Sequence, residues 1–232
     1  MWRSIAATLT VLLFPLTGAV GGNYSLRTLF GEMPDSLLPT LSEYNRLDMI
    51  DFMVSGMEAE VSNNLDGTSV MTQLTDSFLS IRMSDAVEVE MRLLNYEGVH
   101  KASELKADSA LSLAFESGLV ICVVTTYGEE AAESRVEFFN VGWQKMSNIA
   151  DPLSGVDKRG FIEQADSVGD FMFADLEAQV DQIMVVGRLS AEEASLTLVP
   201  FFPLSNMEQK EAIRQCQRLR KLKWTGTQFK ND

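Results

Sequence analysis

Six consecutive apolar residues, 119–124, constrain the fold of this chain more than any other stretch of it. Alternate side chains of a β-strand point to opposite faces of the sheet, so an unbroken apolar run predicts a strand that is buried on both faces. The segments on either side are also typical of strands. Residues 109–115 alternate large apolar with small side chains, and residues 135–139, after a polar loop, are predicted to return as a strand. We therefore predict three consecutive antiparallel strands between residues 109 and 146.

Two helices are predicted to flank this sheet. The first begins with Asn45 as its N-cap, and its apolar stripe consists of Leu47, Ile50, Val54, Met57 and Val61. The second begins with the capping-box residues Ser205 and Glu208, and its stripe consists of Ala212, Cys216, Leu219 and Leu222. The predicted fold class is α+β: a mainly antiparallel sheet with an N-terminal helical segment and a C-terminal helix packed on it. An all-β sandwich or barrel with peripheral helices is the alternative.

The first residues have the layout of a secretory signal peptide. A cationic start at Arg3 precedes a short apolar run, which Pro15 interrupts and small residues follow. The run is too short for a membrane span of about 20 residues. We predict a signal peptide over 1–21 and a single α+β domain over 22–232, in which any internal boundary falls near 148–170. The protein is then periplasmic or secreted and has no transmembrane span after cleavage.

The 232 residues carry a formal net charge of −14 at pH 7. Contacts with phosphate need clustered Lys and Arg, so this balance argues against a nucleic-acid partner. Basic residues do cluster near the C-terminus, where one face of the last predicted helix carries Arg214, Arg218 and Lys221. We interpret these three as a candidate binding face for an acidic partner. In the alternative interpretation, which we favour, they neutralise neighbouring carboxylates.

Three carboxylates are the candidates for acid–base catalysis. Asp48 and Asp51 lie one turn apart on the polar face of the first predicted helix, and Asp66 lies in a turn. Such a pair supports hydrolysis or cation binding, although a solvated helix face is the simpler interpretation. The single histidine, His100, lies in a charged connection, and the chain has no G-x-S-x-G segment. We therefore expect a surface histidine rather than a member of a catalytic triad.

The two cysteines are Cys122 and Cys216. An exported chain with an even number of cysteines permits one disulfide bond, but we favour two small, buried, apolar thiols, one on the central strand and one on a helix. One histidine and two distant cysteines lack the ligand spacing of a zinc site, and the sequence has no glycine-rich phosphate loop. We expect neither a metal nor a cofactor.

Three segments resemble an uncharacterised family of exported Bacteroidales proteins, a domain of unknown function. They are 33–39 (MPDSLLP), 45–52 (NRLDMIDF) and 121–126 (ICVVTT). Trp143 and the ending 224–229 fit the same pattern. The resemblance covers the chain from Met33 to Phe229. It implies export from a Gram-negative cell, and it transfers no functional residue.

These observations favour an exported cell-envelope protein that is a non-catalytic binding or protein-interaction module, with an envelope protein or a small ligand as its partner. The alternative is a carboxylate-dependent envelope hydrolase that uses Asp48, Asp51 or Asp66. A cleft that brings two of these carboxylates together favours the hydrolase. A flat sheet face or an exposed apolar patch favours the binding module.

Overall fold

The computed structural model describes residues 24–129, 131–163, 167–168, 171–172, 175, 178, 180 and 182–231. The predicted signal peptide at 1–21 lies outside the described residues, and the extent of the domain stays a prediction. The helices are α1 (Leu26–Gly31), α2 (Glu43–Val54), α3 (Ala102–Ala107), α4 (Ser109–Ser117) and α5 (Met207–Cys216). Short 3-10 helices lie at Asp35–Leu37 and Lys158–Gly160.

The strands form two main antiparallel sheets. The first is a six-stranded meander in chain order, made of β1 (Ala59–Ser62), β2 (Thr68–Leu74), β3 (Phe78–Ser84), β4 (Val87–Asn95), β5 (Leu119–Tyr127) and β6 (Glu133–Phe139). A separate two-stranded antiparallel sheet pairs β7 (Ser167–Val168) with β8 (Phe171–Met172). The second main sheet has the order β12–β11–β10–β9 and consists of β9 (Met184–Leu189), β10 (Ser195–Phe201), β11 (Arg220–Trp224) and β12 (Phe229–Asn231). The α+β class is confirmed.

Strand β5 carries the apolar run, and it is buried on both faces as predicted. Val120, Cys122 and Val124 belong to the core between the two main sheets. Ile121 and Val123 belong to a second core, which α1 and α2 cover. The first sheet is therefore a middle layer, with helices on one face and the second sheet on the other.

Residues 109–117 form helix α4, so the prediction of a strand there is wrong. The carboxylate of Asp108 accepts hydrogen bonds from the first backbone N–H groups of the helix. Gly118 ends the helix in the left-handed conformation, at φ 65°. The buried residues, Leu111 and Ala114, are about one helical turn apart. A short segment that alternates leucine with alanine and serine fits both the helical and the strand periodicity. The N-cap Asp108 and the C-terminal Gly118 favour the helix.

Helix α2 begins earlier and ends earlier than predicted. Its N-cap is Ser42 rather than Asn45, and the side chain of each residue accepts a hydrogen bond from the backbone N–H of the other. Its buried residues are Arg46, Met49 and Ile50. The residues of the predicted stripe that are exposed are Leu47, Val54 and Met57. Gly56, at φ 68°, follows the end of the helix, and the chain continues into β1.

The last helix is also shorter than predicted. Its N-cap is Asn206 rather than Ser205, and it ends at Cys216. Residues Arg220–Trp224 form β11, which pairs with β10. Arg214 lies on this helix, whereas Arg218 and Lys221 lie beyond its end, so the prediction that one helix face carries all three cations is wrong.

The two cysteines are buried, free thiols. Cys122 lies on β5, and Cys216 lies in the last turn of α5. The interpretation as two small buried thiols is confirmed, and the alternative of a disulfide between them is wrong.

Candidate functional site

A cleft of about 430 Å³ lies between the first sheet and the segment that precedes α2. The side of the cleft formed by the sheet follows the register of β4, β5 and β6. One row of neighbours across the three strands is Val89, Thr125 and Arg135, and the next row is Met91, Val123 and Glu137. Side chains at every second position of a strand share a face, so both rows line the same cleft. We call the members of these rows on β4 and β5, which are Val89, Met91, Val123 and Thr125, the floor.

The opposite side of the cleft is the segment from Met33 to Leu38, which we call the roof. It contains the 3-10 helix Asp35–Leu37. Met33 and Leu38 are buried, and Leu37 packs against the same apolar core. Such a short irregular segment has few backbone hydrogen bonds of its own, so its shape depends on side chains from elsewhere.

Arg46, on α2, fixes the roof. Its side chain is 1% exposed. The Nε atom donates to the carbonyl of Phe30 at 3.1 Å, and Nη2 donates to the carbonyl of Met33. The Nη1 atom donates to the carbonyl of Leu41 and to Oδ1 of Asp35, both at 2.8 Å. A buried guanidinium is tolerated only when its donors are satisfied, and here one cation binds the backbone on both sides of the roof.

Trp143 supplies the aromatic part of the lining. Its backbone has φ 59°, which is unusual for a bulky residue. The indole Nε1 donates to the carbonyl of Leu29 at 2.9 Å, and the ring packs against Phe139 with centroids 5.9 Å apart. Asn140 accepts two backbone hydrogen bonds within the same turn. Strain of this kind costs about 1–3 kcal/mol and persists only where the surroundings impose it.

A charged trio, Arg135, Glu137 and Lys145, lies along one side of the cleft. Oε1 of Glu137 accepts from Nη2 of Arg135 at 2.7 Å and from Nζ of Lys145 at 2.8 Å. Lys145 reaches β6 because its backbone forms an isolated bridge with Phe139. The side chains of Arg135 and Lys145 are 61% and 58% exposed, whereas that of Glu137 is 21% exposed. The trio therefore carries a net positive charge beside an apolar floor.

The carboxylates predicted as catalytic lie elsewhere. Asp48 and Asp51 are exposed on α2, and Asp66 is exposed in the turn between β1 and β2. Among the described residues that line the cleft, Glu137 is the one carboxylate. In the part of the chain that the structure describes, no group of three His, Cys, Asp or Glu residues is placed to hold a metal ion. A catalytic role for the three aspartates stays a prediction.

The cations predicted to bind a partner each face a carboxylate. The pairs are Arg214 with Glu211 at 3.8 Å, Arg218 with Glu163, and Lys221 with Glu193. These contacts correspond to the alternative interpretation, in which the cations neutralise neighbouring carboxylates. The structure does not bring the three cations together on one element, and a binding role for them stays a prediction.

His100 is less exposed than the sequence predicts, since 15% of its side chain is accessible. Its Nε2 lies 2.7 Å from Oη of Tyr96, and Nδ2 of Asn148 donates a hydrogen bond to that same oxygen at 2.9 Å. Nδ1 lies 3.7 Å from Oε2 of Glu104. The order of Glu104 carboxylate, His100 imidazole and Tyr96 hydroxyl resembles a catalytic triad. Burial raises the pKa of Tyr96, however, and a hydroxyl of raised pKa is a poorer nucleophile. The contacts instead anchor the connection that carries His100.

A buried polar seam joins the other face of the first sheet to β9. Oε2 of Glu90 accepts from the Leu189 N–H, and Oγ of Ser134 accepts from the Gly187 N–H, both at 2.9 Å. These side chains satisfy the N–H groups on the edge of β9 that does not pair with β10. Burial raises the pKa of Glu90 from 4.5 to about 7, despite the opposing effects of the Leu189 N–H and of Arg188.

Sequence reasoning missed the residues that shape the cleft. The alternation within 135–139 was sufficient to place Arg135, Glu137 and Phe139 on one face of a strand. Arg46 has no comparable signal, because an arginine inside an amphipathic helix is most often solvated. Its role depends on carbonyl groups that only the folded chain brings together.

The two antiparallel sheets, the covering helices and the cleft define an α+β protein with a cleft of ligand size. The chain belongs to the family described as "Protein of unknown function (DUF3256)", which it matches over residues 22–103 and 107–229. The resemblance to an uncharacterised family is thereby confirmed. No curated protein matches the chain.

The chain is similar to a solved structure, a domain of an uncharacterized protein from Porphyromonas gingivalis W83. The TM-score is 0.61 and the sequence identity is 22%, over 89% of this chain and 97% of that chain. A likeness at this identity shows the fold alone. Across the described ranges, no helix has the length and apolar character needed to span a membrane.

Proposed function

We propose that the protein is a non-catalytic binding module of the cell envelope, and that its cleft holds the apolar part of a small ligand. The cleft itself is the observation that carries this proposal. Its volume of about 430 Å³ lies within the range of about 300–1,000 Å³ that is usual for ligand sites. Arg46 holds the roof in place, so the cleft is formed before a ligand arrives.

The side chains at the base of the cleft are apolar and almost fully buried. Val89, Met91 and Val123 of the floor and Met33 of the roof are buried among other apolar side chains. Each methylene that such a lining removes from water contributes roughly 0.8 kcal/mol. Only the part of this gain that exceeds the cost of immobilising the ligand remains as binding free energy.

The alternative of a carboxylate-dependent hydrolase receives less support. Asp48, Asp51 and Asp66 are outside the described lining, so the cleft does not bring two of them together. Glu137 does line the cleft, but both of its described side-chain partners are cations. A hydrolase that works with two carboxylates needs a second carboxyl group near the first, and Glu137 is the one carboxylate among the described lining residues, so binding without catalysis is the better-supported function.

The proposed place of action is the periplasm or the cell exterior. The support is the cationic start, the short apolar run and the small residues that follow it. N-terminal sequencing of the protein isolated from its own cells tests this directly. We expect the mature chain to begin just after a cleavage point within 19–22, and a chain that begins at Met1 contradicts export with cleavage.

The binding proposal is tested by titration with N-phenyl-1-naphthylamine, a neutral apolar dye that fluoresces when it leaves water. The wild-type protein is expected to show saturable binding. Thr125→Trp fills the floor and is expected to weaken binding by about tenfold or more. The matched control is Thr68→Trp, which adds the same bulk at the exposed start of β2 and is expected to bind as the wild type does.

Two results contradict the binding proposal. One is the absence of saturable dye binding by folded wild-type protein. The other is equal affinity in the wild type and Thr125→Trp, when circular dichroism shows that the variant is folded.

A further inference from the structure

We propose that the cleft selects amphiphiles with an anionic head group, such as medium-chain or long-chain carboxylates, and that Arg135 and Lys145 hold the head group. This inference rests on the proposed binding function and deepens it. The apolar floor explains why a chain enters the cleft. The charged trio selects among such chains by their end group.

The register of the sheet places a cation directly beside the apolar floor. Arg135 is the neighbour of Thr125, which is the neighbour of Val89, so one row runs from an aliphatic side chain to a guanidinium. Lys145 lies across Glu137 from Arg135 and contacts the same carboxylate oxygen. A ligand whose chain covers the floor therefore has its end group within reach of both cations.

Both cations keep donors for a ligand. A guanidinium and an ammonium each carry several N–H donors, and among the described residues each of these two makes one side-chain hydrogen bond, to Oε1 of Glu137. Glu137 orients the two cations without cancelling their charge, since two positive groups share one negative group. A carboxylate accepts hydrogen bonds readily from such a pair.

The net positive charge of the trio disfavours the other end groups. A cationic head group meets the net positive charge of the trio, and a neutral hydroxyl gains hydrogen bonds but no charge pairing. Because Arg135 and Lys145 are more than half exposed, solvent screens the attraction, and we expect a preference of about 5- to 10-fold for the anion over the neutral analogue.

The experiment compares decanoate, decanol and decylamine as competitors of N-phenyl-1-naphthylamine at about pH 8, where the carboxylate is fully ionised. We expect decanoate to compete about 5- to 10-fold better than decanol, and decylamine to compete least. The double variant Arg135→Gln/Lys145→Gln is expected to bring decanoate and decanol within about twofold of each other.

The matched control is Arg218→Gln/Lys221→Gln. It makes the same two changes of charge at cations that also pair with carboxylates but do not line the cleft. This variant is expected to retain the preference for decanoate. Loss of the preference in the control as well shows a general effect of protein charge and overturns the inference.

The remaining outcomes separate the inference from the function beneath it. If the dye and decanol bind but decanoate has no advantage, the cleft is an apolar binding site without head-group selection, and only this inference fails. The same holds if the preference for decanoate persists in Arg135→Gln/Lys145→Gln. If neither the dye nor decanol binds to the folded protein, the binding function and the inference fail together.

Discussion

Nη1 of Arg46 donates to Oδ1 of Asp35 at 2.8 Å and thereby joins helix α2 to the roof of the cleft. The two partners differ in environment, since the Arg46 side chain is 1% exposed and the Asp35 side chain is 62% exposed. An ion pair with one solvated partner contributes little on its own. The stabilisation comes mainly from the buried carbonyl groups of Phe30, Met33 and Leu41, which accept from the same guanidinium.

Arg46→Met is therefore expected to lower the free energy of unfolding by about 3–4 kcal/mol, because it leaves buried carbonyl groups without donors. Asp35→Asn is the matched control and is expected to cost less than about 1 kcal/mol. Urea denaturation of both variants measures the difference. Equal losses in the two variants contradict the conclusion that the carbonyl contacts, rather than the ion pair, hold the roof.

The pH dependence of stability tests the buried seam at Glu90. Burial raises its pKa in the folded protein to about 7, above the usual value of 4.5. Between these two values the folded state binds more protons than the unfolded state, so stability falls as pH rises toward and through 7. The loss from this one group is on the order of 3 kcal/mol between about pH 4.5 and pH 8.

Glu90→Gln isolates this contribution, because a glutamine oxygen still accepts from the Leu189 N–H but carries no charge. Other charged groups near the seam are Glu88 and Arg92 on β4 and Arg188 on β9. Glu88→Gln is the control, since Glu88 is partly exposed and pairs with Arg188 at 2.7 Å. Denaturant unfolding at several pH values is expected to show a shallower decline for Glu90→Gln than for the wild type or Glu88→Gln. Identical pH profiles for all three proteins contradict the assignment.

The cysteines give a chemical test of the core. Cys122 and Cys216 are buried and free, and burial raises the pKa of both thiols. A thiol of raised pKa forms little thiolate and reacts slowly. In protein purified without reductant, a chromogenic disulfide reagent is therefore expected to detect two thiols under denaturing conditions. The same reagent is expected to react slowly with the native protein. A titration that finds no thiol in denaturant indicates a disulfide and contradicts the structure.

The sequence was most informative where the signal is local. The unbroken apolar run in 119–124 predicts a strand buried on both faces, and it holds because every side chain of that run meets one of two cores. The sequence predicts a strand where the structure has helix α4, because alternating leucine and small residues fit both the helical and the strand periodicity. The carboxylate of Asp108 and the glycine at 118 were legible helix-end signals that the alternation outweighed.

The cleft itself could not be predicted from the chain. Its roof, floor and aromatic lining come from segments around Met33, Met91, Val123 and Trp143, and only the strand register brings them together. The division into two sheets is equally non-local, because it depends on β9 packing across β4, β5 and β6. The cluster of Arg214, Arg218 and Lys221 is easier to recognise in the sequence than the cleft is. Its prediction as a binding face requires one helix to carry all three cations, and α5 ends before Arg218 and Lys221.

The central claim is that the cleft between the roof and the first sheet is the binding site. The most direct measurement is methyl NMR of protein labelled at the methionine methyl groups, titrated with decanoate. We expect saturable shifts for Met33 in the roof and Met91 in the floor, with no shift for the exposed Met57 and Met207. Unchanged signals from Met33 and Met91 at ligand concentrations that displace the dye contradict the claim and place the ligand elsewhere on the protein.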